Sequence, residues 1–345
     1  MHKILIFQNQ IPHYRIDFYN EMGKKFKLIV AHSGQPTSAK IKNFDEIFIE
    51  TIKVGPFYFQ KDILKIVKQI NPSRIISMFD ISWPSTIILL LFKKYRKIFI
   101  WWGLDEGKSK IALFFKLLIT KLNIPIIFYH KDISARFIDM GVSKNLCYVG
   151  NNTFHVQHRI KGYEDKKDFF LFVGSLDKRK KLDVCIESIK KISLEINKEI
   201  NLIVIGDGEE KDNLANIVHK IGLDRNIIFK GRINSTEKLK EYYSGAIAAI
   251  SYGQAGLSVL QSFAYGVPYV THRNAISGGE HKNIIHEENG LLVDESYSID
   301  EAIKDLIQKD NLSSELGKNA YDYYSNECTL EKMIEGFVQA INHYE

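Results

Sequence analysis

Residues 251–272 read SYGQAGLSVLQSFAYGVPYVTH, and the order of residue types predicts a strand, a tight turn, a helix and a second strand. The first strand ends at Ser251, and a turn that contains glycine follows it. The helix is predicted to begin near Gly256 and to run to about Tyr265. A strand–helix–strand unit of this kind belongs to a parallel sheet, because parallel strands need a crossover between them.

The start of this helix is a candidate phosphate site. Its first N–H groups, from Gly256 through Leu257 to Ser258, have no partners within the helix and lie at the positive end of its dipole. Gly256 would let a phosphate approach closely, and the Ser258 hydroxyl would add a donor. Gln261, about one turn further along, would meet sugar hydroxyls of the same ligand. The alternative is an ordinary crossover without a ligand, which a single glycine turn does not exclude.

The same alternation of strand and helix fills the rest of the chain. The predicted strands are 3–8, 27–32, 46–51, 74–79, 97–102, 125–130, 169–174, 201–206, 226–231, 246–251, 268–272 and 290–294. The clearest predicted helices are 15–26, 61–70, 109–122, 298–309, 312–325 and 329–343. Because the strands are almost wholly apolar, the predicted fold class is α/β, with two doubly wound parallel sheets covered on both faces.

The polar stretch GNNTFHVQHRIKGYEDKKD (150–168) separates the two halves and predicts a linker. We therefore expect an N-terminal domain over residues 1–165, a C-terminal domain over 166–325, and a last helical segment over 326–345 that could pack back towards the first domain. Two Rossmann-like domains that face each other bind ligands in the cleft where the carboxyl ends of their strands meet. Many functions share this architecture, so it does not identify one.

The composition narrows the class of protein. The chain has 345 residues, 45% apolar and 26% charged, as in an ordinary globular protein of two domains. Three widely spaced cysteines predict neither a disulfide framework nor a metal site, which favours a cytoplasmic protein. We expect no secretion signal and no membrane-spanning segment, because the apolar runs are too short. No recognition helix, zinc-ligand spacing or RNA-binding strand motif points to nucleic acid.

A cluster of basic residues follows the strand in FVGSLDKRKKLD (172–183). Gly174 and Ser175 form the strand-end turn, and Arg179 and Lys180 could neutralise a diphosphate held opposite them. The alternative is a basic helix start, which is unusual because cations oppose the dipole at that end of a helix.

Further strand-end glycine turns occur in VIGDGEE (204–210) and FKGRI (229–233). Gly206 and Gly208 shape the first of these, and Glu209 would either contact the ligand or complement the dipole of the next helix. The second turn, with Arg232, could border a nucleobase. We therefore count all of these residues among the candidate donor-binding residues.

The order of these motifs resembles glycosyltransferase family 4. The resemblance rests on FVGSL, VIGDGEE, IIFKGRI, EYYSGAIAAIS, GLSVLQSFAYGVP and NGLLV, which occur in the family's order over roughly residues 169–294. It implies two facing Rossmann-like domains, the architecture called GT-B, and transfer of a sugar from a nucleotide-diphosphate donor with retention of configuration. It further implies that no essential metal ion or other cofactor is needed. Few protein acids or bases are needed either, because the leaving phosphate oxygen takes the acceptor's proton.

The sequence departs from the family at three positions. Gly253 and Gln261 occupy the positions of the family's two glutamates, which are eight positions apart. Gly253 leaves the contact to the donor sugar unmade, whereas Gln261 could still bind a ribose hydroxyl. The family's phosphate-binding arginine is here Ser175, its lysine is retained as Lys180, and Arg179 could replace the missing guanidinium.

In the first half, QNQIPHYRIDFYNEM (8–22) is similar to the opening of many bacterial members that act on polysaccharides. His13, Tyr14 and Arg15 follow the first strand and should face the cleft on the acceptor side. The family often has a histidine near the reacting centre; His13 and Asp105, in WWGLDEG (101–107), are the candidates for a catalytic role. For Asp105 the alternative role is to cap the next helix.

Two segments and the charge distribution suggest a membrane partner. Residues 1–165 hold 25 Lys and Arg against 13 Asp and Glu, a balance of +12, while the remainder has a balance of −6. STIILLLFKKYRK (85–97) is predicted to be an apolar helix that ends in basic residues, and SKIALFFKLLITKLN (109–123) has an apolar arc of roughly 260°. We expect both to contact an anionic membrane surface. The alternatives are burial of the two segments and an ordinary solvated lysine-rich surface.

The sequence thus predicts a cytoplasmic, membrane-associated glycosyltransferase. Its expected partners are a nucleotide sugar and a lipid-linked or glycan acceptor of a surface polysaccharide such as O-antigen or capsule. The rival functions are a GT-B sugar-nucleotide epimerase and a non-enzymatic, two-lobed sugar-binding protein. A nicotinamide-dependent dehydrogenase is disfavoured because no Gly-x-Gly-x-x-Gly follows a strand.

Overall fold

The chain divides into two units in the structure, a computed structural model that describes residues 2–37, 42–105, 107 and 109–344. The first unit combines Met1–Asn152 with Leu330–Glu345, and the second is Thr153–Thr329. Unit 1 is therefore discontinuous in sequence, whereas unit 2 is one unbroken segment.

Unit 1 is built on a parallel sheet of seven strands in the order β3-β2-β1-β6-β7-β8-β9. Its strands are β1 (Lys3–Phe7), β2 (Lys27–His32), β3 (Asp45–Phe48), β4 (Thr51–Val54), β5 (Phe57–Gln60), β6 (Arg74–Met78), β7 (Phe99–Trp102), β8 (Ile126–Phe128) and β9 (Cys147–Val149). Its helices before the break are α1 (Ile16–Lys25), α2 (Ile63–Ile70), α3 (Lys93–Arg96), α4 (Lys110–Thr120) and α5 (Lys131–Asp139). Strands β4 and β5 form a separate antiparallel hairpin.

The apolar strands are explained by burial on both faces of this sheet. In β1, Leu5 and Phe7 enter the core on one face, while Ile4 and Ile6 enter the core on the other. Alternate side chains of a strand point to opposite faces, so a strand covered on both sides must be apolar throughout.

Unit 2 has a six-stranded parallel sheet in the order β12-β11-β10-β13-β14-β15. Its strands are β10 (Phe169–Val173), β11 (Asn201–Ile205), β12 (Ile227–Gly231), β13 (Ala246–Ile250), β14 (Tyr269–His272) and β15 (Gly290–Val293). Its helices are α6 (Leu182–Glu195), α7 (Lys211–Lys220), α8 (Thr236–Ser244), α9 (Ser258–Ala264), α10 (Ile299–Gln308) and α11 (Leu312–Glu327). The strand order reverses direction between β10 and β13, which makes that point the switch point of a doubly wound sheet.

The last helix, α12 (Leu330–Ile341), belongs to the core of unit 1. The Phe337 ring lies 4.7 Å from the Phe18 ring and 4.9 Å from the Trp102 ring. At Gly336 the helix touches the sheet so closely that a Cβ would lie 1.9 Å from the Val149 carbonyl oxygen. The chain therefore returns to its first unit only at its end.

The division between the units falls at Asn152, earlier than the boundary at residue 165 expected from the sequence. The polar segment after residue 152 packs on unit 2 by a few specific contacts. Val156 enters a core of that unit, the Gly162 N–H donates to the Tyr265 carbonyl at 3.0 Å, and the Tyr324 hydroxyl donates to the Phe154 carbonyl at 2.8 Å. These contacts are made by the backbone and by isolated side chains, which the polarity of the segment does not reveal.

Two further expectations about elements are wrong, and one strand of the sheet was not predicted. The predicted strand 46–51 is interrupted at Ile49, so that β3 and β4 belong to different sheets. The predicted helix over 85–97 is a 3-10 turn, Pro84–Leu91, followed by the short helix α3, because Phe92 between them has an extended backbone. Strand β9, whose three residues are only partly buried, was not predicted. No helix among the described residues is long and apolar enough to cross a bilayer.

Candidate functional site

The turn that follows β10 brings a lysine to the switch point of the unit 2 sheet. Gly174 ends the strand, and the Asp177 carboxylate accepts from the Arg179 N–H at 3.1 Å, which caps the 3-10 turn Lys178–Lys180. Lys181 ends this turn with a left-handed backbone, at a φ of 49°, and is the N-cap residue of α6. Because of this turn, the Lys180 side chain lies inward while Lys178 remains exposed.

Lys180 is a buried cation, with 8% of its surface exposed. Its ammonium forms no hydrogen bond or ion pair with any residue that the structure describes. Burial lowers the pKa of Lys180, and the negative charges of Asp177 and Glu280 oppose this effect. An ammonium group in this state is suited to receive an anion.

Asp177 organises the two other predicted residues of this turn. The Arg179 guanidinium donates to both of its carboxylate oxygens, at 3.1 and 3.0 Å, and the Ser175 hydroxyl donates to one at 2.7 Å. The Arg179 guanidinium holds the pKa of Asp177 below its usual range. Sequence reasoning missed Asp177, although an Asp before a short basic turn is a recognisable cap.

The loop after β11 contacts the turn after β10 at Gly206 and Gly208. A Cβ at Gly206 would lie 1.8 Å from the Gly174 carbonyl oxygen, and a Cβ at Gly208 would lie 2.3 Å from the Leu176 carbonyl oxygen. Glycine is required at both positions because no side chain fits between the two loops.

The remaining predicted residues at this edge of the sheet are exposed to solvent. Glu209 and Arg232 are exposed, and neither forms an ion pair within the described residues. Glu210, the next residue, is the one that lies near Lys178, at 3.9 Å.

The loop after β13 completes the edge around Lys180. The Gly253 N–H donates to the Lys180 carbonyl at 2.9 Å, and a Cβ at position 253 would lie 2.2 Å from the Arg179 carbonyl oxygen. By contrast, nothing lies within 4 Å of where a Cβ of Gly256 would be. The loop therefore contacts the basic turn at one glycine and leaves open space at the other.

Helix α9 is shorter than expected and begins two residues later, with seven residues and with Leu257 at its N-cap. The Ser258 hydroxyl lies 2.8 Å from the Tyr269 hydroxyl, so it already has a partner. Gln261 is only 5% exposed, and its Oε1 accepts a long hydrogen bond of 3.4 Å from the Tyr243 hydroxyl. The sequence predicts that both side chains contact a ligand. In the structure each of them already has a tyrosine hydroxyl as a partner.

A turn between β14 and β15 adds an acid that sequence reasoning missed. Glu280 is 7% exposed and accepts from the Ser277 hydroxyl and the Gly278 N–H, both at 2.9 Å. Gly279 has a φ of 118°, which glycine adopts at little cost. The SGGE sequence is the signal that could have identified this turn.

The predicted residues of unit 1 differ in their exposure and in their contacts. His13 is exposed and Tyr14 is half-buried on a 3-10 turn, His13–Arg15. Arg15 is only 3% exposed: its guanidinium bonds the Asn152 side chain and lies 4.7 Å from the Trp102 ring. Arg15 therefore contributes to the packing of unit 1.

Asp105 accepts from the buried Lys116 ammonium, at 2.5 Å through its carboxylate and at 2.8 Å through its carbonyl. The expected capping role of Asp105 is wrong, because α4 begins at Lys110 and its cap is Ser109, which accepts from the Ala112 N–H at 3.3 Å. No cluster of potential metal ligands occurs among the residues that the structure describes.

Residues 154–323, almost all of unit 2, match the family model described as "Glycosyl transferases group 1". A poly(ribitol-phosphate) alpha-N-acetylglucosaminyltransferase of Staphylococcus aureus is 26% identical over 198 residues, which are 54% of this chain and 39% of that protein. The lipopolysaccharide core biosynthesis glycosyltransferase LpsE of Rhizobium meliloti is 24% identical over 218 residues, 61% of each chain. The chain thus spans between about two fifths and three fifths of these curated relatives.

Solved structures match over the whole length. TarM of S. aureus, in complex with UDP and alpha-GlcNAc-glycerol, has a TM-score of 0.70 at 11% identity, covering 99% of this chain and 100% of that one. Anabaena HepE in complex with UDP has a TM-score of 0.72 at 14% identity, covering 99% of both chains. WaaG, a glycosyltransferase involved in lipopolysaccharide biosynthesis, has a TM-score of 0.68 at 14% identity, covering 98% of this chain and 99% of that one. These likenesses confirm the predicted fold class, the α/β fold called GT-B.

Proposed function

We propose that this protein is a glycosyltransferase that moves a sugar from a nucleotide-diphosphate donor to a glycan or lipid-linked acceptor of a surface polysaccharide such as O-antigen or capsule. The observation that carries the proposal is the buried, unpaired Lys180 ammonium at the switch point of a sheet whose sequence matches group 1 glycosyl transferases. Ligands of doubly wound sheets bind at this place.

The surroundings of Lys180 fit a diphosphate. Gly256 leaves open space on the neighbouring loop, where a phosphate would meet the N–H groups of residues 256–258. Arg179 is exposed and paired only with Asp177, so it could exchange that carboxylate for a phosphate oxygen. Two cations and several N–H donors would then stabilise the charge that develops on the leaving diphosphate.

The proposed reaction is balanced by the substrates themselves. An acceptor hydroxyl oxygen forms a bond to the anomeric carbon of the donor sugar, and the bond from that carbon to the phosphate oxygen breaks. The nucleoside diphosphate leaves with the electron pair, and its oxygen takes the proton of the acceptor hydroxyl. Departure and attack on the same face would retain the anomeric configuration. Lys180 and Arg179 would supply the positive charge, so we propose a metal-independent reaction that needs no cofactor.

The donor is first sought among UDP-linked sugars, because UDP is bound in the structures of TarM and HepE. The sugar itself stays open, since Gly253 offers no side chain to it. We assign the acceptor to unit 1 and the protein to the inner face of the cytoplasmic membrane, a proposal supported by two similar proteins that are named for poly(ribitol-phosphate) and for lipopolysaccharide core biosynthesis.

The test is calorimetric titration with UDP-, GDP- and CMP-linked sugars. One member of the panel should bind, and Lys180→Ala should weaken it about 10- to 100-fold, as expected for loss of a hydrogen bond to a charged group. Lys178→Ala is the matched control, because this lysine lies in the same turn with its side chain 82% exposed and should change affinity by no more than about twofold. Absence of binding across the panel would refute the proposal.

Turnover separates the remaining possibilities. A transferase consumes the donor only when acceptor is supplied, apart from slow hydrolysis. An epimerase would convert the donor without an acceptor, and a sugar-binding protein would bind it without chemical change. Product analysis by mass spectrometry and NMR therefore distinguishes the three.

A further inference from the structure

Helix α4 presents a continuous apolar face to solvent. Five large apolar side chains on this helix or directly after it are between 38 and 72% exposed: Ile111, Phe114, Phe115, Leu118 and Leu122. Their spacing of one, three and four residues places them on one side of the helix. A contiguous apolar area of this kind is a mark of an interaction surface rather than an ordinary solvated face.

The opposite side of α4 fixes this orientation. Leu113 and Leu117 pack against the core of unit 1, and Lys116 is buried between them and Asp105. If the helix turned its apolar face inward, it would break the Lys116–Asp105 ion pair and expose the two leucines. The alternative of burial, left open by the sequence, is therefore wrong for the five exposed side chains.

A second apolar element covers the same face of the sheet. Leu91 is 79% and Phe92 42% exposed, at the junction between the 3-10 turn and α3. Leu89 and Leu90, directly before them, enter the same core as Leu113. The two elements connect β6 to β7 and β7 to β8, which are consecutive strands of the sheet, and both pack on the core of the same sheet face.

Lysines border both elements. Lys93, Lys94 and Lys97 follow Phe92 and are exposed, while Lys110 and Lys121 lie at the two ends of α4 and are also exposed. Residues 84–123 contain eight Lys and Arg against two Asp and Glu. Asp105, the carboxylate of this span that the structure describes, is already neutralised by Lys116.

We propose that residues 88–97 and 110–122 together form a docking surface for an anionic lipid bilayer. The phenylalanines and leucines enter the boundary between headgroups and acyl chains, and the lysines contact lipid phosphates. A second copy of the chain fits less well, because a self-complementary contact would bring the lysines of both copies together. The inference deepens the proposed function, on which its biological meaning rests, by naming the surface where a lipid-linked acceptor is met.

The first test is flotation of the full chain with phosphatidylcholine vesicles that contain or lack phosphatidylglycerol. The wild type should float with the anionic vesicles only and should be released by salt. Phe114→Ser with Phe115→Ser should weaken partitioning about a hundredfold, since each lost aromatic side chain is worth about tenfold. Leu194→Ser is the matched control, because Leu194 in α6 of unit 2 is similarly exposed and should leave flotation unchanged.

Charge reversal tests the lysines separately. Lys93→Glu with Lys94→Glu should abolish the preference for anionic vesicles, while Lys220→Glu in unit 2 should not. Nucleotide binding should be unaffected in all of these variants, so loss of flotation and failure of the proposed function remain distinguishable. Wild-type protein that stays with the unbound fraction on anionic vesicles overturns the inference. So does a lipid-free dimer that the Phe114 and Phe115 substitutions dissociate.

Depth of insertion gives a second measurement that does not rely on disruptive variants. Phe115→Trp should show tryptophan fluorescence that brominated lipids quench beyond the wild-type level. Leu194→Trp should show no additional quenching. Equal quenching at the two positions would contradict insertion of α4.

Discussion

At the scale of single residues, Lys180 carries a positive charge in a place that disfavours it. Burial lowers the pKa of Lys180, and Asp177, an acid of the same turn, is engaged by Arg179. A diphosphate beside the ammonium would act in the opposite direction, because it favours the protonated form. Binding of the donor should therefore be coupled to the protonation of this one side chain.

We expect nucleotide affinity to fall as the pH rises from 7 towards 10. The diphosphate binds the protonated ammonium, and the pKa of Lys180 in the free site lies below the ordinary value of 10.5, so the loss begins at a lower pH than for an exposed lysine. Lys180→Arg should flatten the profile, because an arginine keeps its proton throughout this range.

Calorimetry at several pH values measures this effect, with the Lys178→Ala variant as a control that should follow the wild type. A wild-type profile as flat as that of Lys180→Arg would show that Lys180 does not titrate in the site.

Sequence reasoning identified residues whose role is local and missed those whose role depends on neighbours. Lys180 and Gly256 follow strand ends, and the chain alone shows that. Glu280 was missed although the SGGE sequence marks its turn, because its burial and its contacts with Ser277 and Gly278 appear only in the fold. Gln261 and Ser258 stay predicted ligand contacts, and the sequence did not reveal that tyrosines from other elements contact them.

At the scale of elements, the β13–α9 turn contains two glycines with opposite requirements. Gly253 lies against the Arg179 carbonyl oxygen, whereas Gly256 borders open space. The first glycine is needed for packing and the second, in our proposal, for the ligand. Neither has a φ in the left-handed region, so alanine is compatible with both backbones.

These two positions should therefore separate folding from binding. Gly253→Ala should lower the free energy of unfolding by about 1–3 kcal/mol, because an added methyl group must displace the basic turn. Gly256→Ala should leave stability nearly unchanged and weaken nucleotide binding by about tenfold, because the methyl group would occupy phosphate space.

Thermal unfolding and calorimetry of both variants give the comparison. If Gly256→Ala bound the nucleotide as well as the wild type, the phosphate could not lie where we place it.

Element prediction succeeded where the apolar pattern was long and failed where backbone geometry decided. All six strands of the unit 2 sheet and the helices α10, α11 and α12 correspond to predicted segments. The chain over 84–96 is apolar enough for a helix, yet the extended backbone of Phe92 divides it. The β4–β5 hairpin is poorly buried, and each of its strands has only four residues, the lower limit of the runs that identify a strand.

At the scale of the molecule, the two units differ in how the chain builds them. Unit 2 holds both of its cores within Thr153–Thr329. Unit 1 needs α12 to complete one face of its sheet, and five large apolar side chains of that helix are buried there: Leu330, Met333, Ile334, Phe337 and Ile341. At about 2 kcal/mol each, their loss would remove about 10 kcal/mol, as much as the whole stability of a typical domain.

We therefore expect residues 153–329 to fold alone and to bind the nucleotide, and residues 1–152 to lack a cooperative unfolding transition. A peptide of residues 330–345 added to the latter should restore part of the transition. Circular dichroism melting of the two fragments provides the measurement. A stable 1–152 fragment would show that α12 is an accessory and not a part of the core.

The late return of α12 also determines the order in which a nascent chain can fold on the ribosome. Unit 2 is fully synthesised before α12 emerges, so the sheet of unit 2 can form first. The apolar surface of unit 1 that Phe337 covers is still exposed at that stage. A message truncated just after residue 329 would yield a polypeptide with a complete unit 2 and an incomplete unit 1, a ready substrate for chaperones and proteases. Folding of unit 1 therefore has to wait until residues 330–341 have been synthesised.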